Sequence, residues 1–210
     1  NEVHFQGGGM VDMLFVVDSS GSMGEEQAAL ADGFGAFIET FLELEYDFHL
    51  AVTDMDYQAT AGALFGDPAI LTPETPNLVE QFQQNALVGI TGSGSEKGME
   101  AARQALSPAK REGVNEGFFR EEALLAVIFL TDEDDQSTAS NEDYLDFFLE
   151  LKRGDRRRLK LSAIAGPVPD GCVSALPGTR YADVAEATGG VFVSICQDDV
   201  GMPRLGEVLS

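Results

Sequence analysis

The strongest constraint on the fold is LLAVIFL, residues 124–130, a stretch in which every residue is apolar. A strand that is apolar throughout is buried on both faces, which is typical of a parallel sheet covered by helices. A second buried strand is predicted for MVDMLFVV, residues 10–17, and a third for YDFHLAVTD, residues 46–54. A helix with one apolar stripe is predicted between them, over about residues 25–44.

The alternation of strand and helix continues towards the C-terminus. The segment 55–76 interrupts it, because this segment is rich in glycine and proline and is predicted to be irregular with one short edge hairpin. The other predicted elements are strands within 156–166 and 190–196 and helices at about 77–85, 96–106, 142–152, 180–188 and after Asp199. The pattern predicts an α/β fold with a doubly wound, mostly parallel central sheet, helices on both faces and one antiparallel edge strand. Without a linker or a repeat, residues 11–210 are predicted to form a single domain after an N-terminal extension of residues 1–10.

The charge balance restricts the possible partners. The chain has 36 acidic and 13 basic residues, and its net charge is −23. This argues strongly against nucleic acid, whose phosphates need basic neutralisation, and against an anionic membrane surface. No apolar run approaches the roughly 20 residues of a membrane-spanning helix. The acidity is compatible with cation binding, although acidic residues also keep proteins soluble.

The two cysteines, Cys172 and Cys196, lie near the C-terminal end. They are either buried free thiols, as is usual in a cytosolic protein, or a disulfide formed in an oxidising compartment. The cysteine count leaves both states open. Because the chain has only two histidines and no paired-cysteine motif, the sequence does not favour a zinc site.

Two of the predicted strands end in an aspartate, FVVD at Asp18 and IFLTD at Asp132. In an open parallel sheet, ligands bind beyond the carboxyl ends of the strands, where the strand order reverses. If these two strands are neighbours at that point, both carboxylates face one crevice. The loop TGSGSEKG, residues 91–98, is expected to reach the same crevice because it also precedes a helix.

The turn after the first strand has the spacing D-x-S-x-S. Alternate side chains of an extended turn point the same way, so Asp18, Ser20 and Ser22 can converge while Ser19 cannot. Together with Asp132 and one hydroxyl of residues 91–95, they form a set of oxygen donors. Such a set suits one hard divalent cation, with Mg²⁺ preferred and Mn²⁺ or Ca²⁺ as alternatives. A coordination position left open would attract a carboxylate from a partner.

These motifs resemble the von Willebrand factor A domain. DSSGSM, with GSEKG and FLTDEDD further along, is similar to its metal-ion-dependent adhesion site, which uses D-x-S-x-S, a loop threonine and a later aspartate. The resemblance covers nearly the whole chain, from Val11 to about Leu209, and implies the Rossmann-like fold of that family. FVVDSSGSM, GSGSEKGMEAA and VIFLTDEDD look most like bacterial secreted or lipoprotein-type A domains.

The resemblance also implies roles for individual residues. The family's loop threonine falls on Ser95, three residues before Gly98, and the alternatives in this loop are Thr91 and Ser93. The bacterial subgroup implies a disulfide between Cys172 and Cys196. The metal ligands carried over are Asp18, Ser20, Ser22, Ser95 and Asp132.

The function implied is a non-enzymatic adhesion or scaffold module that binds a glutamate or aspartate of a protein partner through the cation. The resemblance places the chain outside the cytoplasm of a bacterium, as a secreted, periplasmic or outer-surface protein, and allows self-assembly. Two alternatives are a metal-dependent hydrolase, because a divalent ion is also a Lewis acid, and a structural subunit of a cell-surface assembly.

Other interpretations of the first turn are weaker. A phosphate-binding loop lacks its lysine and its glycine spacing, and a nucleophilic serine lacks a partner base. The serines and aspartate could merely cap the following helix, but a cap needs only one side chain. Asp54 also ends a strand and is a candidate outer residue of the site, whereas Glu133, Asp134 and Asp135 are expected in a solvated loop.

Overall fold

The computed structural model describes residues 9–56, 60 and 62–197. Five parallel strands form one sheet in the order β2-β1-β3-β4-β5. The strands are β1 (Met10–Val17), β2 (Asp47–Asp54), β3 (Leu124–Leu130), β4 (Leu159–Ala165) and β5 (Phe192–Ser194). The helices are α1 (Gly24–Glu43), α2 (Leu78–Ala86), α3 (Gly98–Ala105), α4 (Pro108–Arg111), α5 (Asn141–Leu151) and α6 (Thr179–Thr188), and a 3₁₀ turn (Arg156–Arg158) precedes β4.

The two faces of the sheet pack against different helices, because successive strand side chains point to opposite faces. On β1, Phe15 packs with α1 and α2 on one face, whereas Leu14 and Val16 pack with α3, α5 and α6 on the other. Both faces are therefore buried, and the prediction of a doubly wound sheet is confirmed. None of the helices within the described ranges is long and apolar enough to cross a membrane.

The first helix packs through the apolar stripe predicted from its sequence. The buried residues of this stripe are Leu30, Phe34, Phe37, Ile38 and Phe41. Phe34 stacks on Phe82 of α2 with ring centroids 3.7 Å apart, and Phe82 meets the edge of Phe15 on β1 at 5.1 Å. These aromatic contacts join both helices to the centre of the sheet.

Three local predictions need correction. The expected edge hairpin in residues 55–76 is reduced, in the part that is described, to one antiparallel bridge between Leu50 and Leu71. The prolines of this segment lack the N–H groups that a strand ladder needs. The helix predicted from about residue 77 begins one residue later, at Leu78, because the backbone of Asn77 is left-handed with φ 51°. The short helix α4 lies in a segment for which the sequence pattern predicts no helix, and the helix predicted after Asp199 falls outside the described residues.

A disulfide joins Cys172 to Cys196, so the pairing implied by the resemblance is present. It links the loop after β4 to the residues that follow β5. In that loop, the Leu176 backbone N–H donates to the carbonyl of Asp132 at 2.8 Å. The disulfide therefore stabilises a loop that contacts the end of β3.

We expect the double variant Cys172→Ser/Cys196→Ser to lose about 2–4 kcal/mol of unfolding free energy, because the open chain regains conformational freedom. Urea denaturation measures the loss. Reduction of the wild-type protein should produce the same change without a substitution, and equal stability of both forms would contradict the expectation.

Candidate metal centre

The site begins where β1 and β3 end side by side. Their parallel register pairs Val17 with Leu130, and the Asp18 backbone N–H donates to the Leu130 carbonyl at 2.9 Å. In the sheet order β2-β1-β3, the direction of the strand connections reverses between β1 and β3. The chain leaves β1 towards α1 on one face of the sheet and leaves β3 towards α5 on the other face. The structure therefore places Asp18 and Asp132 at the same edge of the sheet, at the switch point where ligands bind.

Asp18 is fully buried, and hydrogen bonds hold both of its carboxylate oxygens. Oδ1 accepts from the Ser20 backbone N–H at 2.7 Å, and Oδ2 accepts from the Thr131 hydroxyl at 2.7 Å. The Thr131 hydroxyl in turn accepts from the Glu133 backbone N–H at 3.0 Å. Thr131 was not a predicted site residue, although it belongs to the TD pair that ends the strand.

The two serines of the turn meet as their spacing predicts. The Oγ atoms of Ser20 and Ser22 lie 3.1 Å apart, while the side chain of Ser19 is directed at the neighbouring loop. A Cβ at Gly92 would lie 2.1 Å from the Ser19 Oγ, so only glycine allows this close packing. The Gly92 backbone N–H also donates to the Ser19 carbonyl at 2.9 Å.

Asp132 completes the group that the structure brings together. Burial raises the pKa of the Asp132 carboxyl above the usual range. A hydrogen bond with Ser22 lowers this pKa, and the negative charge of Asp18 raises it. Its Oδ1 is buried and has no hydrogen-bond partner among the described residues. A buried, unpartnered carboxylate oxygen is costly unless something fills its place.

Glu96, which the sequence analysis did not select, belongs to the same cluster. It is fully buried, and no backbone N–H, hydroxyl or basic side chain in the described part of the chain donates a hydrogen bond to its carboxyl oxygens. Burial raises the pKa of Glu96 to about 9, and the charge of Asp18, a hydrogen bond between the Glu96 and Asp18 carboxyl groups, and the charges of Glu133 and Asp132 contribute in the same direction. The signal available in the sequence was a single acid between the hydroxyl-rich loop and α3, and it was interpreted as the start of the helix.

Two other buried acids, Asp12 and Asp135, each form an ion pair with an arginine. Asp12 pairs with Arg120 at 2.8 Å, and Asp135 pairs with Arg180 at 2.9 Å. The ion pairs formed among the described residues include none of Asp18, Glu96 and Asp132. Among the described residues, this cluster is therefore a concentration of buried carboxyl groups to which no basic side chain is paired.

None of the three hydroxyl residues predicted as loop ligands is fully buried. Thr91 and Ser93 are exposed and Ser95 is partly exposed. The Ser93 backbone N–H donates to the Asp56 carboxylate at 3.0 Å. The Ser95 backbone N–H donates to the Ser93 hydroxyl at 3.1 Å. Which hydroxyl of this loop faces the cluster stays a prediction.

Asp54 is the last residue of β2. Its carboxylate accepts from the Thr60 hydroxyl, and burial, with the charge of Asp56 as a smaller cause, raises its pKa to about 6. The largest effects on the Asp54 carboxyl thus involve neighbours other than Asp18. An outer role for Asp54 in the site stays a prediction.

The loop after β3 corrects the expectation of a solvated acidic run. Asp135 is buried, and its Oδ1 accepts from the Met99 backbone N–H at the start of α3. Asp134 accepts from the Arg180 backbone N–H at 2.9 Å. Only the tertiary structure shows that these acids hold α3 and α6 next to the site.

The cluster fits a cation bound through mixed oxygen ligands. Within residues 9–56, 60 and 62–197, no three acidic, histidine or cysteine side chains are arranged to hold a metal by themselves. A cation would therefore need neutral oxygens as well, and the paired hydroxyls of Ser20 and Ser22 supply them beside the unpartnered oxygen of Asp132. All donors are oxygens, which suits a hard divalent ion.

Comparison with known proteins supports the fold. No protein-family model matches the chain, and no curated protein is significantly similar to it in sequence. Among solved structures, proximal thread matrix protein 1 from the mussel byssus, with a zinc-occupied MIDAS motif, gives a TM-score of 0.57 at 13% identity over 97% of this chain. A second crystal form of the mussel protein gives a TM-score of 0.56 at 12% identity over 96% of this chain.

The fold is Rossmann-like and consistent with the von Willebrand factor A fold. The chain spans about half, 48%, of the length of the mussel protein. At this level of identity the likeness establishes the shared fold alone.

We expect Thr131→Val to weaken Mg²⁺ binding by about tenfold to a hundredfold, because the substitution keeps the shape but removes the hydroxyl that holds Asp18. Isothermal titration calorimetry measures the affinity. The matched control is Thr53→Val, which removes another buried hydroxyl that donates to the Ala63 carbonyl at 3.0 Å.

Both variants should lose about 1–3 kcal/mol of unfolding free energy for a buried hydrogen bond. Only Thr131→Val should change the affinity for the cation. Equal Mg²⁺ affinity in the two variants would show that the orientation of Asp18 does not matter for binding.

Proposed function

We propose that this chain is a metal-dependent protein-binding module, in which a divalent cation at the D-x-S-x-S turn engages an acidic side chain of a partner. The observation that carries this proposal is the convergence of Asp18, Ser20, Ser22 and Asp132 from the loops after β1 and β3. A helix cap alone would not require the unpartnered, buried oxygen of Asp132 in the same place.

Asp18, Ser20, Ser22 and Asp132 would hold the cation, and the loop 91–96 would complete its surroundings. When bound, the ion supplies a localised positive charge to which a carboxylate oxygen of a partner can bind. Mg²⁺ is the preferred ion because the donors are hard oxygens, and Mn²⁺ and Ca²⁺ are alternatives. The zinc in the mussel protein supports a divalent ion in this fold without identifying the native one.

Exposed apolar side chains lie beside the acidic cluster. The side chain of Ile90 is 49% exposed. It lies close to the serine turn, because a Cβ placed on the adjacent Gly24 would be 3.8 Å from the Ile90 Cγ2. Leu176 is 61% exposed, and its backbone donates to the carbonyl of Asp132. A partner that fits this surface therefore presents a glutamate or aspartate flanked by apolar residues.

The disulfide and the fold suggest where the module works. A disulfide is typical of an oxidising compartment, which supports a site outside the cytoplasm. The mussel protein is described as a matrix protein, and this favours a structural subunit of an extracellular assembly as the second candidate function. The assignment to a bacterial surface or lipoprotein type, and the absence of enzymatic activity, remain predictions from the sequence.

The test uses two immobilised pentapeptides, Leu-Val-Glu-Val-Leu and its central glutamine counterpart, with the wild-type protein in Mg²⁺. We expect binding to the glutamate peptide only, and complete loss of binding in a chelator. Surface plasmon resonance measures both, since an acidic side chain and the cation are both required.

Asp18→Ala should bind neither the cation nor the peptide, while Asp146→Ala, which alters an exposed aspartate of α5, should behave as wild type. Urea denaturation must show that both variants are folded. Peptide binding that survives the chelator would refute the metal-dependent mechanism, and self-association that survives it would favour the structural subunit.

A further inference from the structure

One arginine side chain spans the loop that carries Asp132. Arg180 is the second residue of α6. Its guanidinium group donates to the backbone carbonyls of Asp135, Ser137 and Ala139 at 3.3, 2.5 and 2.6 Å, and it forms an ion pair with the Asp135 carboxylate at 2.9 Å. The planar guanidinium holds several acceptors in a fixed geometry, which a lysine cannot do. A single side chain therefore bridges the loop between β3 and α5.

Both ends of this loop are attached to the segment that leads into α6. The Arg180 backbone N–H donates to the Asp134 carboxylate at 2.9 Å. The Arg180 Nε donates to the side chain of Asn141, the first residue of α5, at 2.9 Å. The Leu176 backbone N–H, four residues before Arg180, donates to the Asp132 carbonyl at 2.8 Å. The chain is thus held at intervals from Asp132 to the start of α5.

The same loop contacts the third loop of the candidate metal centre. Asp135 accepts from the Met99 backbone N–H at the start of α3 at 3.2 Å, and the Gln136 backbone N–H donates to the Glu96 carbonyl at 2.7 Å. The position of the loop after β3 therefore also affects the end of the loop 91–96. The hydrogen bonds of Arg180 to the β3–α5 loop are to backbone carbonyls and to Asp134, so its influence on Asp132 is one of position.

We propose that Arg180 is a positioning residue, which fixes Asp132 for the cation and thereby gives the site its preference for Mg²⁺ over Ca²⁺. This inference rests on the proposed function, since it assumes a cation at the D-x-S-x-S turn. Mg²⁺ demands nearly ideal octahedral geometry, whereas Ca²⁺ accepts longer and more variable ligand distances. A loop that is held at many points favours the ion with the stricter geometry, and a loosened loop favours Ca²⁺.

The charge of Arg180 and its hydrogen bonds have opposite effects on the cation. A positive charge near the site repels the cation, so removal of the charge alone would strengthen cation binding. Loss of the hydrogen bonds that hold the loop would weaken it. The sign of the change therefore distinguishes positioning from electrostatics.

Arg120 provides a matched control at the other end of the sheet. It forms an ion pair with the fully buried Asp12 at 2.8 Å and donates to the carbonyls of Val11 and Asp47 at 3.2 and 3.1 Å. The side chains of Arg120 and Arg180 are 19% and 23% exposed. The two arginines have surroundings of the same kind, but Arg120 lies at the N-terminal ends of β1 and β2, away from the candidate metal centre.

The test is calorimetric titration of the wild type, Arg180→Lys and Arg120→Lys with MgCl₂ and with CaCl₂. Lysine keeps the charge and loses the planar set of donors. Arg180→Lys should bind Mg²⁺ at least about tenfold more weakly and Ca²⁺ no more than about threefold more weakly. Arg120→Lys should lose stability as well, but it should change both affinities by less than about twofold because it is remote from the site.

Two further variants keep the test decisive. Arg180→Gln, which also removes the charge, should bind Mg²⁺ more weakly, and tighter binding would show that Arg180 acts through its charge. If a single substitution prevents folding, the double variant Arg180→Gln/Asp135→Asn removes both members of the ion pair and leaves no buried charge unpaired. It should show the same selective loss of Mg²⁺ affinity.

Amide hydrogen exchange without the cation provides a readout that does not depend on binding. The Gln136 amide should exchange faster in Arg180→Lys than in the wild type or in Arg120→Lys, because the loop opens more often. Unchanged exchange at Gln136 would overturn the positioning role.

The outcomes separate the role of Arg180 from the existence of the site. Equal Mg²⁺ affinity in Arg180→Lys and Arg120→Lys, or an equal loss of Mg²⁺ and Ca²⁺ affinity in Arg180→Lys, would overturn the inference. The cation site would still stand if Asp18→Ala abolishes Mg²⁺ binding. If Asp18→Ala binds Mg²⁺ as the wild type does, the proposed function itself is wrong.

Discussion

The candidate metal centre depends on the parallel pairing of β1 with β3, which runs from Val11 and Leu124 to Val17 and Leu130. Parallel strands end at the same edge of a sheet, so Asp18 and Thr131 become neighbours although 113 positions separate them. The chain then leaves the two strands towards opposite faces, which opens a crevice between the loops. The apolar packing of α1 and α2 on one face and of α3, α5 and α6 on the other holds the strands in this register.

The buried acids of this protein differ in whether a basic side chain is paired with them. The buried acids Asp12 and Asp135 are each matched by an arginine, whereas Asp18, Glu96 and Asp132 have no such ion pair among the described residues. Folding therefore buries several carboxyl groups at one place, and their ionised forms are costly unless a positive charge compensates them. A protein folded in this way gains stability from any cation that the site holds, so cation binding and fold stability are linked.

Much of the fold could be predicted from local patterns. The apolar runs identified β1 and β3, and the stripe containing Phe34 and Phe37 identified α1, because these long elements have strong periodicity. The D-x-S-x-S turn was also local, and the structure brings the hydroxyls of Ser20 and Ser22 together as the spacing predicts. The segment 55–76 was less predictable, since its proline-rich chain makes only a bridge at Leu71.

The sequence by itself determined the strands, the helix stripe, the spaced oxygens after β1 and the aspartate after β3. It could not determine that Glu96 is buried among other acids or that Asp135 pairs with Arg180, because both depend on contacts between segments far apart in the chain. Side-chain periodicity reports only which face a residue occupies on its own element. Whether an acid in a loop meets water, an arginine or other acids is decided when the loops pack together, and this packing buries Glu96 beside Asp18.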